Sequence, residues 1–174
     1  VSTPEGTAAH RADAAARPPV RCAVLTVSDS RTAETDVSGP LARRLLSEAG
    51  HVVVQHALFR NDEAAVREAV RTLIASDAVD VVLLTGGTGL SVRDRSVEAV
   101  APLLTRSIPG FGELFRLLSF QEQIGPAAML SRAMAGTANG VVVVLLPGSA
   151  AAVELALTRL LLPELAHLVR EARR

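Results

Sequence analysis

Apolar positions along this chain follow two rhythms, and their alternation predicts the order of elements. Val20 to Val27 and Val81 to Leu84 are nearly unbroken apolar runs, the pattern of strands buried on both faces. His51 to Leu58 alternates weakly and reads as a further strand, and Val141 to Leu146 is the most β-branched run of all. Between these the period lengthens to that of a helix. Ser38-Gly39-Pro40 opens one, with Leu41, Leu45, Leu46 and Ala49 on one face and Gly50 as its stop; from Asn61 a second carries Val66, Ala69, Val70, Leu73 and Ile74 inward. Ser96 is placed to cap a third, whose inner face is Val97, Val100, Ala101 and Leu104.

After the Pro109-Gly110 break, Phe111 to Gln121 is apolar on more than one face. It reads equally as a subunit contact or as a helix buried within one monomer. Ala128 to Ala135 and Val141 to Leu146 flank Gly136-Thr137-Ala138-Asn139-Gly140, a short Gly-rich link that favours an antiparallel hairpin. Ser149 is placed to cap a helix carrying Val153, Ala156, Leu157 and Leu160 inward, and Pro163 starts the last one. The fold class expected is α/β, with a mostly parallel sheet plus an antiparallel hairpin.

Three strand ends carry small polar turns: Ser28 to Thr32, Thr85 to Gly89, and Pro147 to Ser149. In a parallel sheet such turns gather at one edge and enclose a crevice. In Thr85-Gly86-Gly87-Thr88-Gly89 the glycines let backbone N–H groups face a ligand, and the following helix adds the partial positive charge of its N-terminus, which suits phosphate. The same turn also fits an ordinary tight strand-to-helix connection. It is not a Walker A loop, because the chain has no lysine, and it is not a dinucleotide fingerprint, because Val92 stands where that spacing requires glycine or alanine.

Composition narrows the partners. The chain has 174 residues, which suits one domain: residues 1–19 are expected to form a disordered leader and 20–174 the folded unit. Eighteen acidic and eighteen basic residues cancel, and four phenylalanines with no tyrosine or tryptophan leave little to stack bases on, so nucleic acid is not expected as a partner. No apolar run approaches the roughly 20 residues of a membrane span, and Cys22, the single cysteine, sits in an apolar run as a core residue. A reducing, cytoplasmic location is expected.

A nucleotide bound without lysine would rely on arginines and a divalent cation, and magnesium wants carboxylates. Asp62, at the head of the second helix, and Asp94, five residues past Gly89, are the candidates. Both positions also suit helix capping, Ser91-Val92-Arg93-Asp94 fitting a capping box. Arg31, Arg93, Arg95, Arg116 and Arg132 are candidate phosphate contacts. His10, His51, His56 and His167 lack metal-ligand spacing, and Ser28, Ser131 and Ser149 lack a nucleophile elbow.

Taken together, Thr26-Val27-Ser28-Asp29-Ser30-Arg31, Asp36-Val37-Ser38-Gly39, Ala49-Gly50-His51, Leu84 to Gly89, Arg93-Asp94, Ile108 to Glu113, Ser131-Arg132-Ala133 and Leu146-Pro147-Gly148-Ser149 resemble, in this order, the molybdenum cofactor biosynthesis proteins of the MoaB/Mog family. The resemblance runs from Val20 to about Leu168. It implies a three-layer α/β/α fold, assembly as trimers or hexamers, binding of molybdopterin, and work alongside other proteins of molybdenum cofactor biosynthesis. In active members it implies magnesium-dependent transfer of AMP from ATP to the terminal phosphate of molybdopterin, with release of pyrophosphate. By motif, the acids that matter fall on Asp62 and Asp94, as catalytic residues and magnesium ligands. The ligand-binding positions fall on Ser28, Asp29, Thr85, Gly86, Gly87, Thr88, Gly89, Ser131, Pro147, Gly148 and Ser149.

The chain departs from the family pattern in three places. Asn61 stands where a proline is common, Ser96-Val97-Glu98 replaces Thr-Pro-Glu, and Ala150-Ala151-Ala152 replaces Pro-Lys-Ala, removing a cation beside the ligand turn. An adenylyltransferase is expected. The alternative is a non-catalytic pterin-binding or assembly paralogue of the MoaB branch.

Overall fold

The computed structural model describes residues 19–174, so the leader expected over 1–19 lies, apart from Pro19, outside the described residues. Strand β1 (Arg21–Val27) leads to helix α1 (Ser38–Glu48), then β2 (Val52–Phe59), α2 (Glu63–Ala75) and β3 (Val81–Thr85). The short helix α3 (Ser96–Val100) and the two-residue strand β4 (Arg106–Ser107) come next, followed by α4 (Pro109–Ser119), β5 (Met134–Ala138), β6 (Val141–Leu146), α5 (Ala150–Ala156) and α6 (Leu162–Ala172). The six strands form one sheet in the order β2-β1-β3-β6-β5-β4; β2, β1, β3 and β6 are mutually parallel, whereas β5 runs antiparallel to both of its neighbours, β6 and β4.

The unbroken apolar runs follow from the layers. Cys22, Val24, Val81, Leu83, Val142 and Val144 pack against α1, α4, α5 and α6 on one face. Their neighbours Ala23, Leu25, Val82, Leu84, Val143 and Leu145 pack against α2 and α3 on the other. Side chains alternate across a strand, so a strand covered on both sides must be apolar at every position. Helix α2 buries Val66, Val70, Leu73 and Ile74, each contributing roughly 1.5–3 kcal/mol relative to exposure. The weak alternation of β2 has its cause too. It is an edge strand with Val52, Val54 and Leu58 exposed.

The hairpin forms, but in a different register from the one the sequence suggests. Gly136 to Ala138 belong to β5, and the turn is the pair Asn139-Gly140, both with positive φ (49° and 75°), as a two-residue type I′ turn requires. Ala128 to Leu130, expected to begin the strand, instead end a 3-10 helix (Gly125–Leu130). Ser96 does not cap α3. It is the helix's first residue, and its hydroxyl donates to the Gly86 carbonyl at 2.7 Å.

Helix α4 runs on through a π turn (Phe120–Ile124). Its Phe111 and Phe115 are buried with ring centroids 6.2 Å apart, whereas Leu114, Leu117, Phe120 and Ile124 are exposed, so the segment is not buried within one monomer. Pro163 stands in the first turn of the last helix, as the sequence suggests, although that helix is not set apart from α5. A π turn (Leu157–Leu161) joins α5 to α6, and Pro163, which has no N–H to donate, sits in the first turn beyond it. The basic C-terminus is not wholly solvated, because Arg173 bonds to the buried Asp80. Among the described residues no helix is long and apolar enough to cross a membrane.

Candidate functional site

The parallel strands β1, β2, β3 and β6 end at one rim, and backbone bonds tie their ends together. Ser28 N–H donates to the Phe59 carbonyl at 2.8 Å and Gly86 N–H to the Leu146 carbonyl at 2.9 Å. The Thr85 hydroxyl donates to the Pro147 carbonyl at 3.0 Å. At Gly86 (φ +100°) a Cβ would lie 2.1 Å from the Val27 carbonyl oxygen; at Gly87 (φ +66°) it would meet Ser96 Oγ at 2.3 Å and Asn61 Oδ1 at 2.6 Å. Glycine is therefore required here by backbone conformation and by close approach alike.

The turns enclose a hollow of about 730 Å³, within the usual range for small-molecule sites. All eleven positions expected to bind ligand line it: Ser28 and Asp29, Thr85 to Gly89, Ser131, and Pro147 to Ser149. Asp94 lines it as well. Its Oδ2 accepts the Ser91 N–H at 3.2 Å, the backward half of a capping box, although the residues form a turn and the helix begins only at Ser96.

Asp62 is not on the wall. It is exposed at the N-cap of α2, its Oδ1 accepting the Ala65 N–H at 2.9 Å, while its Oδ2 has no hydrogen bond among the described residues. The preceding residue, Asn61, faces the hollow in its place. The wall's second carboxylate is Asp29, whose Oδ1 accepts the Asn61 N–H at 3.0 Å. That bond, the Asn61 side chain and the nearby charges of Arg93 and Arg60 hold its carboxyl below the usual value.

Of the five candidate arginines, Arg31 and Arg93 line the hollow. Arg116 donates to the carbonyls of Ser131 and Ala133, Arg132 to those of Thr88 and Asp94, and Arg95 lies 4.0 Å from Glu63. The sequence reading gave no role to Asn61, to the apolar wall of Ile124, Ala127 and Leu130, or to the contact between His56 and Asp36 behind the hollow. The Asp36-Val37-Ser38-Gly39 motif was the one signal for the last of these.

Among the described residues no three His, Cys, Asp or Glu side chains gather as a metal cage. Asp29 and Asp94, both lining the hollow, nonetheless suit magnesium, which commonly takes one or two protein carboxylates and fills its remaining positions with phosphate oxygens and water.

The model of the family described as "Probable molybdopterin binding domain" matches residues 23–167. The chain is 50% identical over 155 residues to molybdenum cofactor biosynthesis protein B of Bacillus cereus, covering 89% of this chain and 92% of that protein. It is similar to a crystal structure of molybdenum cofactor biosynthesis protein B, with TM-score 0.87 and 49% identity over 91% of this chain and 99% of that one. It is also similar to the tungsten cofactor synthesizing protein MoaB from Pyrococcus furiosus, with TM-score 0.81 and 36% identity over 91% of this chain and 100% of that one.

Proposed function

Given that the chain belongs to the molybdopterin-binding-domain family of molybdenum cofactor biosynthesis proteins, we propose that its hollow is where AMP passes from ATP to the terminal phosphate of molybdopterin. The observation that carries the reading is the convergence of three strand-end turns around Asp94 in a hollow of about 730 Å³. A nucleotide and a phosphorylated pterin need several backbone donors and charge control in one place, and this is where the chain supplies both.

In the proposed reaction an oxygen of the pterin's terminal phosphate forms a bond to the α-phosphorus of ATP. The bond from that phosphorus to the oxygen bridging to the β-phosphate breaks, and pyrophosphate leaves with the electron pair. Such chemistry depends on placement and electrostatic stabilisation rather than on proton transfer. The Thr85 to Gly89 turn would position phosphate groups, and Ser28, Ser131 and Ser149 would orient the pterin side. Asp94 and Asp29 would hold the cation from the wall, and Asp62 would act from the rim through its uncommitted oxygen. Magnesium, when bound, would neutralise charge on the ATP phosphates.

The exposed stripe of Leu114, Leu117, Phe120 and Ile124 supports assembly of the chain with copies of itself, as a trimer or hexamer, close to the hollow that Ile124 also lines. Light scattering reads that state.

The test is incubation with ATP, magnesium and molybdopterin, followed for pyrophosphate and adenylylated pterin. Asp94→Asn should fold normally and lose about a hundredfold or more in turnover. The position of Asp62 off the wall favours a second reading, a non-catalytic pterin-binding paralogue. Pterin binding without pyrophosphate release would establish that one.

A further inference from the structure

Behind the hollow one carboxylate is almost sealed from solvent. Asp36 has 3% of its side chain exposed. Its Oδ2 accepts from the Thr26 hydroxyl at 2.7 Å and lies 3.7 Å from His56 Nε2. Its Oδ1 accepts from the Ser38 hydroxyl and the Gly39 N–H, each at 3.1 Å, and lies 3.6 Å from Arg31 Nη1. Burial pushes this carboxyl up, but the Thr26, Gly39 and Ser38 bonds and the Arg31 charge outweigh burial and hold it below its ordinary value. The group is therefore ionised at neutral pH.

Arg31 is held from two sides. Nη1 reaches the Ser38 hydroxyl at 3.5 Å, and Nη2 donates to the Gly148 carbonyl at 3.1 Å, across 117 residues of sequence. The guanidinium thus joins the turn after β1 to the turn after β6, and it lines the hollow between them. Arg93 also lines the hollow, on the side where its charge acts on Asp29, while Arg116 and Arg132 donate to backbone carbonyls. With no lysine in the chain, Arg31 brings positive charge to the corner between the Ser28 and Gly148 turns. Neutral packing would serve a purely structural core at least as well as a buried charge, whose desolvation is costly; a fixed guanidinium at the wall is what that charge provides.

We propose that Arg31 is the phosphate-contacting cation of this corner of the hollow and that Asp36, buried behind it, is its positioning residue. The inference rests on the adenylyl-transfer reading and places a phosphate group in the corner between the Ser28 to Arg31 turn and the Pro147 to Ser149 turn.

Inorganic pyrophosphate is the probe, with binding measured by titration calorimetry. Arg31→Ala should weaken binding by about tenfold to a hundredfold, and Arg31→Lys should recover part of the loss. Asp36→Asn should weaken it by about tenfold, and the double variant should bind no more weakly than Arg31→Ala alone, since Asp36 acts through Arg31. If Asp36→Asn does not fold, Ser38→Ala, lacking the hydroxyl that touches both groups, is read the same way: a loss of about threefold in the wild-type background and none beside Arg31→Ala. Wild type that binds no pyrophosphate, equal binding by wild type and Arg31→Ala, or additive losses in the double variants would each overturn the proposal. Turnover measured in parallel keeps the two readings apart. Turnover by wild type with unchanged pyrophosphate binding in Arg31→Ala removes this inference alone, whereas pyrophosphate binding that depends on Arg31 without turnover removes the reaction alone.

Discussion

The guanidinium of Arg132 donates to the backbone carbonyl of Asp94 at 3.1 Å, from a point 38 residues further along the chain. It also donates to the Thr88 carbonyl at 3.3 Å and pairs with Glu98 at 2.6 Å. One planar side chain thus fixes the glycine turn, the Asp94 turn and helix α3 relative to each other. A lysine, with a single point charge, cannot span three acceptors in this way.

Arg132→Ala is therefore expected to cost more in catalysis than in stability. The Glu98 pair is about one-third exposed and is worth little on its own, so unfolding free energy should fall by about 1–2 kcal/mol, mostly from the lost bonds to carbonyls. Turnover should fall by at least about tenfold, because Asp94 and the glycine turn are no longer held together. Arg132→Lys should behave like the alanine variant. Thermal unfolding and pyrophosphate release on the same preparations check this.

Asp62 allows capping and chemistry to be separated. Asparagine caps a helix about as well as aspartate, so Asp62→Asn should stay within about 0.5 kcal/mol of wild type, whereas Asp62→Ala should lose about 1 kcal/mol as the bond to Ala65 N–H disappears. If the carboxylate acts at the rim, both variants lose turnover by about tenfold or more, since neither keeps the charge. Full turnover by Asp62→Asn would leave Asp62 as a cap alone.

Much of this architecture was legible in the sequence, for definable reasons. Strands covered on both faces must be apolar at every position, so β1, β3 and β6 showed through, and polar turns after buried strands marked the rim. The limits are equally physical. An N-cap aspartate and a site aspartate look identical in sequence, so Asp62 and Asp94 differ only once the chain is folded. Gly136 read as punctuation, yet it lies within β5, and Asn139-Gly140 alone makes the turn. The role of Asp36 depends on Arg31, Thr26 and His56 arriving from elsewhere along the chain, which no local pattern encodes.

Gly86 tests how tightly the rim is built. Its φ of +100° is one that L side chains rarely adopt, and the atom a Cβ would strike is the backbone carbonyl of Val27, which cannot move without displacing the end of β1. Gly86→Ala should destabilise the protein by roughly 2–4 kcal/mol and abolish ligand binding by spreading β1 from β3. Urea unfolding and pyrophosphate titration provide the check. A loss under about 1 kcal/mol would mean that the two strand ends separate easily.

Acid should act in part through the opposite end of the sheet. Asp80, 6% exposed in its side chain, accepts the Arg21 N–H and a guanidinium nitrogen of Arg21, each at 2.7 Å, and bonds to Arg173 as well. Burial pushes its carboxyl up, but the Arg21 bonds and the charges of Arg173 and Arg21 outweigh burial and set it below the ordinary 3.8. A carboxyl lowered on folding contributes stability that is complete above its unfolded pKa and is lost as pH falls through the folded one. Unfolding free energy should therefore show no slope from Asp80 above about pH 5 and should drop below about pH 4. Asp80→Asn should lose about 1–2 kcal/mol at neutral pH, because the two arginines it leaves are 40% and 51% exposed and can hydrate, and its acid slope should be shallower. Asp36, lowered on folding in the same direction, contributes to the slope that remains. Urea titrations at a series of pH values read both quantities, and an undiminished acid slope in Asp80→Asn would assign the loss to other carboxylates.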